Sequence, residues 1–508
     1  MSTPKSCWEC VKKRRVCDAA LPHCQKCTAR GIACPGYDGK PLRWLNPGQT
    51  RSKGYRAKTE ARALASAQQT TRVLARAAMA LPPQLHYSGA ALAEAVVYYN
   101  KMIAPDMVAI PWAAHDLYAL EKAYIPYMPP VILESIICSS LAHKILQTSH
   151  NMPSDESLVL VKRLQQHRGT TIKLMTDELE GDWGSVTDVT LASMICFLLT
   201  EMHHCVSPIW KSHCDAIHAV LDARGGLRSQ IADAVEMEPL FRYYVATEIL
   251  GASTSPNVSL HKAEQLLDIV DLLPGLFGEA ITTSIPCPAP LLQETILITH
   301  RRAVNSLTEP SKEEAFIALK TILNRIRSFS VESWIEDVEK AQNRIITEAG
   351  MEEEASSYRL PQGHQHWLQI GFVYQAAVAM YCLSSLCNTT YTDSTSVSSD
   401  PQEEQLSFIK ESCRRSLLGN LKELASGSEE HPRKMVLWPL IMAGLVSETD
   451  ADGSRSFVLS ELVWLSRALG TASPLIACEL LKRLWTTPNT KTQRCWDDLF
   501  DRPYCFTI

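Results

Sequence analysis

Six cysteines near the start of the chain are spaced Cys7-x2-Cys10-x6-Cys17-x6-Cys24-x2-Cys27-x6-Cys34. They form two near-repeats of C-x2-C-x6-C, and the first repeat carries the basic block Lys12, Lys13, Arg14, Arg15. Thiolates select zinc among common cellular metals, and a structural zinc takes four ligands in a tetrahedron. Six thiolates give two zinc ions four ligands each only if two sulfurs are shared. The symmetry of the repeat nominates Cys7 and Cys24 as the shared pair. One Zn2+ would then take Cys7, Cys10, Cys17 and Cys24, and the second Cys24, Cys27, Cys34 and Cys7.

A segment this short buries too little apolar surface to fold alone, so metal binding would supply most of its folding free energy. The competing chemistry is a disulfide framework. The opening MSTPKSCWEC has no apolar signal-peptide core, and in a reducing compartment paired cysteines of this kind are metal ligands far more often.

The spacing, the basic block after Cys10 and Pro22 in the central loop resemble the fungal binuclear zinc-cluster transcription factors. The resemblance implies a short helix after the second cysteine that enters the DNA major groove and reads a CGG triplet. Lys13 and Arg14 would face the bases, since guanine O6 and N7 can be met together by one Lys or Arg. Lys12 and Arg15 would meet phosphates, which position the module without specifying sequence. Family members carry a basic residue directly after the second cysteine and directly before the third. This chain has Val11 and Val16 there, so its basic block is compact. The block also suits a solvated face or a nuclear-import signal.

Charge divides the chain sharply. Residues 1–56 carry 12 Lys+Arg against 3 Asp+Glu, and the remaining residues 38 against 52, within a net charge of −5. A basic end on an acidic body is the footprint of nucleic-acid binding by the end alone. Such binding weakens steeply with salt, because neutralised phosphates release condensed counterions.

Behind the cysteines, PGYDGKPLRWLNPGQTRSKGYR at 35–56 reads as a basic, Pro- and Gly-rich linker. Residues 57–81 are Ala-rich and helical. Their best heptad seam runs through Ala57, Leu64, Thr71 and Ala78 with Ala67, Leu74 and Leu81, but Glu60 falls on it and Thr71 is polar. The seam predicts a plain amphipathic helix, closed by Pro82-Pro83, although relatives dimerise in this region. The domain reading is a zinc-cluster DNA-binding domain at 1–36, a linker and short helix at 37–83, and a regulatory domain at 84–508.

The body shows helical periodicity almost throughout. VILESIICSSLAHKIL, LVLVKRLQQHRGTTIKLM, VTLASMICFLLTEMHHC and WKSHCDAIHAVLDARGG repeat apolar residues at i, i+3, i+4 and i+7. No period-2 alternation is sustained, and no apolar run approaches a membrane span. The fold class is mostly α: a two-zinc cluster with two short helices, a linker, and a large all-α body. VVYYNKMIAP, the Trp210 to Gly226 helix, VLWPLIMAGL, LKRLW and CWDDLF resemble the fungal transcription factor middle homology domain. Trp210, Trp438, Trp485 and Trp496 read as packing anchors. Polar stretches at 348–357, 389–405 and 447–456 read as exposed loops, with activation segments as the sharper alternative.

His203, His204, Cys205, His213 and Cys214 could be imagined as a second metal site, but they sit on an apolar helix and around a Ser-Pro turn, without a C-x2-C pair. They read as core. No phosphate-binding glycine loop, nucleophile elbow or H-E-x-x-H appears, so nothing argues for catalysis. Together the residues and the resemblance imply a nuclear regulator of RNA polymerase II genes that binds double-stranded DNA. A metabolic or secondary-metabolite gene cluster is among the targets implied, and a homodimer, coactivators and a small-molecule effector among the partners. Two other readings stay open: an effector-gated metabolite sensor, and a zinc-stapled interaction module that binds no specific DNA.

Overall fold

The computed structural model describes residues 6–7, 9–10, 13, 15–20, 23–32, 34, 89–109, 118–121, 123, 125–148, 155–179, 186–204, 209–234, 237–278, 283–308, 310–348, 363–386, 401–447, 452–487 and 495–507. The helical seam at 57–81 lies outside the described residues. The chain divides into two compact units, Met1–Arg56 and Ala57–Ile508. Among the described residues, regular structure is helical throughout, with no strand.

In the first unit, Glu9 and Cys10 are helical and α1 spans Gln25–Thr28. The Cys24 side chain caps α1, accepting the backbone N–H of Cys27 at 3.3 Å. The apolar centre of this unit is made of the cysteines themselves, with Cys7, Cys10, Cys24 and Cys27 buried.

The second unit begins with α2 (Gly89–Met102), α3 (Pro130–Thr148) and α4 (Asp155–Glu178). They enclose a small apolar core around Leu92, Val96, Ile137, Leu141 and Leu164. α5 (Asp188–His204) packs on α3 and leads into α6 (Trp210–Ala223) and α7 (Leu227–Asp233). The α6–α7 turn needs Gly225 and Gly226, both at positive φ (94° and 89°), where a side chain is strained. The Gly226 N–H closes α6 by donating to the Leu221 carbonyl at 2.8 Å.

α8 (Glu238–Ser253) is buried on every side from Phe241 to its end. After α9 (Leu260–Leu267), α10 (Leu273–Phe277), α11 (Ala289–Thr308), α12 (Lys312–Ser328) and α13 (Val331–Glu348) comes α14 (Gly363–Leu386). α14 is apolar all round, with every residue from Ala376 to Leu383 buried. A helix of that kind belongs inside a protein. It is surrounded by α11, α12, α13, α15 (Pro401–Ser426) and α17 (Leu437–Leu445), with the short α16 (His431–Lys434) between the last two. α18 (Ser454–Leu469) and α19 (Ser473–Thr486) complete the body.

The tryptophans anchor these elements. The Trp438 and Trp496 indoles donate to Ser253 Oγ at 3.0 Å and Ser253 carbonyl oxygen at 2.8 Å. Trp485 donates to the Gly444 carbonyl at 3.2 Å. Trp210 lies over Gly251 so closely that a Cβ there would sit 2.3 Å from its ring. The orphan carbonyls at the end of α8 are met by buried Arg302, which donates to Ala252 at 3.2 Å and to Ser255 at 2.7 Å. The segment 495–507 crosses the same helix end, with the Tyr504 N–H donating to Thr254 at 3.2 Å.

Two of the polar stretches depart from the loop reading. α15 starts at Pro401, inside 389–405, and α18 starts at Ser454, inside 447–456. Pro and acidic residues suit a helix N-terminus, so PQEEQ is an opening turn rather than a loop.

Candidate metal centre and nucleic-acid interface

The Cys7 and Cys24 sulfurs lie 3.5 Å apart, Cys7 and Cys27 3.8 Å, and Cys10 and Cys24 3.7 Å. A tetrahedron with zinc–sulfur bonds of 2.3 Å has edges of about 3.8 Å. A disulfide would need about 2.05 Å, and these cysteines are free. The thiols fall into two groups of four, Cys7, Cys10, Cys17, Cys24 and Cys7, Cys24, Cys27, Cys34, with sulfurs within 4.8 Å of one another. Cys7 and Cys24 belong to both. The donor set therefore fits two tetrahedral thiolate-bound ions.

The backbone of the two halves is matched. The Cys7 N–H donates to Cys17 Sγ at 3.4 Å, and the Cys24 N–H to Cys34 Sγ at 3.4 Å. The Arg15 N–H donates to the Cys10 carbonyl at 2.9 Å, and the Ile32 N–H to that of Cys27 at 3.1 Å. Such N–H···S bonds orient sulfurs and stabilise their charge.

Burial pushes the Cys10 thiol up to about 12, and pushes Cys24 up as well. At Cys17 burial also works against the thiolate. Backbone N–H groups of Cys7 and Ala19 outweigh it and bring the pKa down to about 6. The Cys10 and Cys24 thiols therefore hold protons unless a cation replaces them, and a divalent metal does so.

Of the basic block, Lys13 and Arg15 are exposed on the first half, while Lys12 and Arg14 lie outside the described residues. Val16 is 81% exposed beside them. Lys13 and Arg15 line a groove of about 300 Å³ together with Lys26 and Arg30 from the second half. Sequence reasoning missed Lys26 and Arg30. Laying one repeat on the other would have revealed Arg30, since it sets Arg30 over Lys13, but sets Lys26 over Glu9.

Among the described residues, the histidine and cysteine cluster of the body forms no ligand set. His213 packs edge-on against Phe197 with ring centroids 5.2 Å apart, and Cys214 is buried. The His203 carbonyl accepts the Thr471 hydroxyl at 3.3 Å. Cys205 lies outside the described residues. Among the described residues, the two cysteine groups are the ones able to hold a metal.

Residues 98–507 match the fungal specific transcription factor domain, and residues 5–43 the fungal Zn(2)-Cys(6) binuclear cluster domain. The chain belongs to this family of fungal transcription factors: it is a zinc-binding, DNA-binding transcription regulator and not an enzyme. Along 99% of its length, and 89% of the other protein's, it is 27% identical to the phomenoic acid biosynthesis cluster-specific transcriptional regulator of Leptosphaeria maculans. Over 43 residues, 8% of this chain and 5% of the relative, it is 46% identical to arginine metabolism regulation protein II of Saccharomyces cerevisiae. Over 43 residues it is 49% identical to acriflavine sensitivity control protein acr-2 of Neurospora crassa, covering 8% and 7% of the two chains. No solved structure matches the chain. The family is nuclear, and no helix among the described residues is long and apolar enough to cross a membrane.

Proposed function

We propose that this chain is a pathway-specific regulator of RNA polymerase II genes. Six cysteines would hold two Zn2+ per chain, and the first half of the cluster would dock on CGG-containing duplex DNA. The observation that carries the reading is the pair of four-thiol groups sharing Cys7 and Cys24, with Lys13 and Arg15 exposed beside them. In this assignment Lys13 and Arg14 face bases, and Lys12 and Arg15 face phosphates. The organisation we propose is DNA binding in 1–36, a linker in 37–83 and regulation in 84–508. The full-length match to a regulator of a biosynthetic cluster supports a target set of that kind.

Native mass spectrometry should find two zinc ions per chain. Lys13→Ala or Arg14→Ala should weaken binding to CGG duplex by about 1–3 kcal/mol and relax specificity at the triplet. Equal losses on CGG and scrambled duplex would mean phosphate contact only. No preference for CGG in the unmodified chain would leave a zinc-stapled interaction module. Family relatives also act as homodimers, and sedimentation on CGG duplex measures whether one or two chains bind.

A second reading, that a small-molecule effector acts on the body, is supported by a cavity of about 100 Å³ lined by residues of α2, α3, α5 and α8. Tyr99, Tyr118 and Cys196 line it, and the Ser135 hydroxyl there is buried without a hydrogen-bond partner. A thermal shift of the full chain on adding a candidate metabolite, lost on filling the cavity with Ser139→Leu, tests that reading.

A further inference from the structure

We propose that the second half of the cluster is more than a metal holder: Lys26 and Arg30 complete a site for a DNA phosphodiester that Arg15 begins, beside the base-facing Lys13. The inference rests on the reading that this module docks on duplex DNA, and it assigns a contact to the half without the basic block.

The argument starts from the repeat. Cys7, Cys10 and Cys17 correspond to Cys24, Cys27 and Cys34, so Lys13 corresponds to Arg30 and Glu9 to Lys26. The matched N–H···S and N–H···O bonds show that the two backbones follow the same course over these stretches. Where the halves differ, the difference is charge. KKRR at 12–15 faces ARGI at 29–32, yet the second half keeps a cation at 30 and gains one at 26. The two repeats thus bring their cations to a common groove.

That groove, of about 300 Å³, is lined by Lys13, Arg15, Lys26 and Arg30 and by a single carboxylate, Glu9. Among the described residues, no side-chain ion pair or hydrogen bond engages any of these four cations. Elsewhere, cations are matched: Arg168 with Glu201, Arg325 with Glu294, Arg433 with Glu461. Four like charges around one groove repel one another, and an anion seated among them removes the repulsion. Arg presents a planar fork that suits phosphate oxygens, and Lys a compact point charge. A backbone phosphate held by both halves would fix the register of the module, so that base contacts from the first half fall on one triplet.

The test uses the full chain and fluorescence anisotropy on CGG and scrambled duplexes at several salt concentrations. Each lost phosphate contact should flatten the log–log salt slope by about 0.9, equivalent to about eight-fold in affinity at 0.1 M salt. Lys26→Gln with Arg30→Gln removes the second half's hold on that one phosphate and should therefore flatten it by about 0.9 and weaken both duplexes by the same factor. The exposed body residues Lys101 and Lys173, both changed to Gln, are the charge-matched control and should leave the slope unchanged. The charge-keeping pair Lys26→Arg with Arg30→Lys should retain two zinc ions and the native slope, which covers the case in which the Gln pair loses metal. An unchanged slope in the Gln pair overturns the proposal, as does an altered slope in the charge-keeping pair. A loss confined to CGG duplex overturns it too, since that marks base reading. Inorganic phosphate binding to the native chain that is lost in the Gln pair, with the DNA salt slope unchanged, would mark a free-phosphate pocket and exclude the duplex as its ligand. If the native chain binds neither duplex, the DNA reading itself fails, and that outcome is distinct from the others.

Discussion

At the scale of single residues, the six cysteines were legible because thiol chemistry and spacing define one another. Arg30 stands apart from any basic run and emerges only when one repeat is laid on the other, and Lys26 joins it only through the shared groove. The sharing of Cys7 and Cys24 makes a sharp expectation for metal content. Cys7→Ala removes a donor from both thiol groups and should strip most zinc, whereas Cys10→Ala removes one and should leave about one ion, as read by native mass spectrometry. His143 sets a pH limit on the body. It is buried with its Nδ1 2.8 Å from the Tyr98 hydroxyl, and burial, aided by the Lys434 charge, lowers its pKa to about 4. A histidine whose folded pKa lies below its unfolded value stabilises the fold above the unfolded pKa. That stability is lost as pH falls toward the folded one. The loss should therefore run from about pH 6.5 to 4 and reach at most about 3 kcal/mol. His143→Gln should flatten that stretch of the stability–pH curve measured by denaturant unfolding.

At the scale of elements, the amphipathic segments could be placed from periodicity, and they became α3, α4, α5 and α6. Periodicity said nothing about α14, because a helix without a polar face has no period to detect. Its identity comes from the five helices around it. The helix starts at Pro401 and Ser454 were obscured for a different reason: the residues that open a helix are also those that fill loops. The α6–α8 contact rests on the absence of a side chain at Gly251 beneath Trp210. Gly251→Ala should cost about 1–3 kcal/mol in chemical denaturation, since the indole must move or its rotamer strain. At the end of α8, Arg302→Met should cost about 3 kcal/mol. It leaves the Ala252 and Ser255 carbonyls short of a donor and Asp497, 3.5 Å from Arg302, without its cation.

At the scale of the whole molecule, the two units have different sources of stability. One is centred on thiols, the other on a continuous apolar core running from Val131 to Phe506. A chelator should therefore abolish DNA binding while leaving the helical circular dichroism and thermal transition of the body unchanged. A body that melts with the cluster would contradict this division. The charge split was legible from composition alone, and it identifies the end of the chain to which salt titrations of DNA binding should respond.

The seal on α8 has a consequence for how the chain is made. Ser253 and Thr254 receive Trp496 and Tyr504 across sequence separations of 243 and 250 residues. At about 5–20 residues per second of translation, the end of α8 emerges roughly 12–50 s before its cover exists. During that interval the newborn helix end, with Arg302 on its other carbonyls, still offers the Thr254 carbonyl and apolar surface to chaperones, and a chain stopped short of Trp496 would never lose that mark.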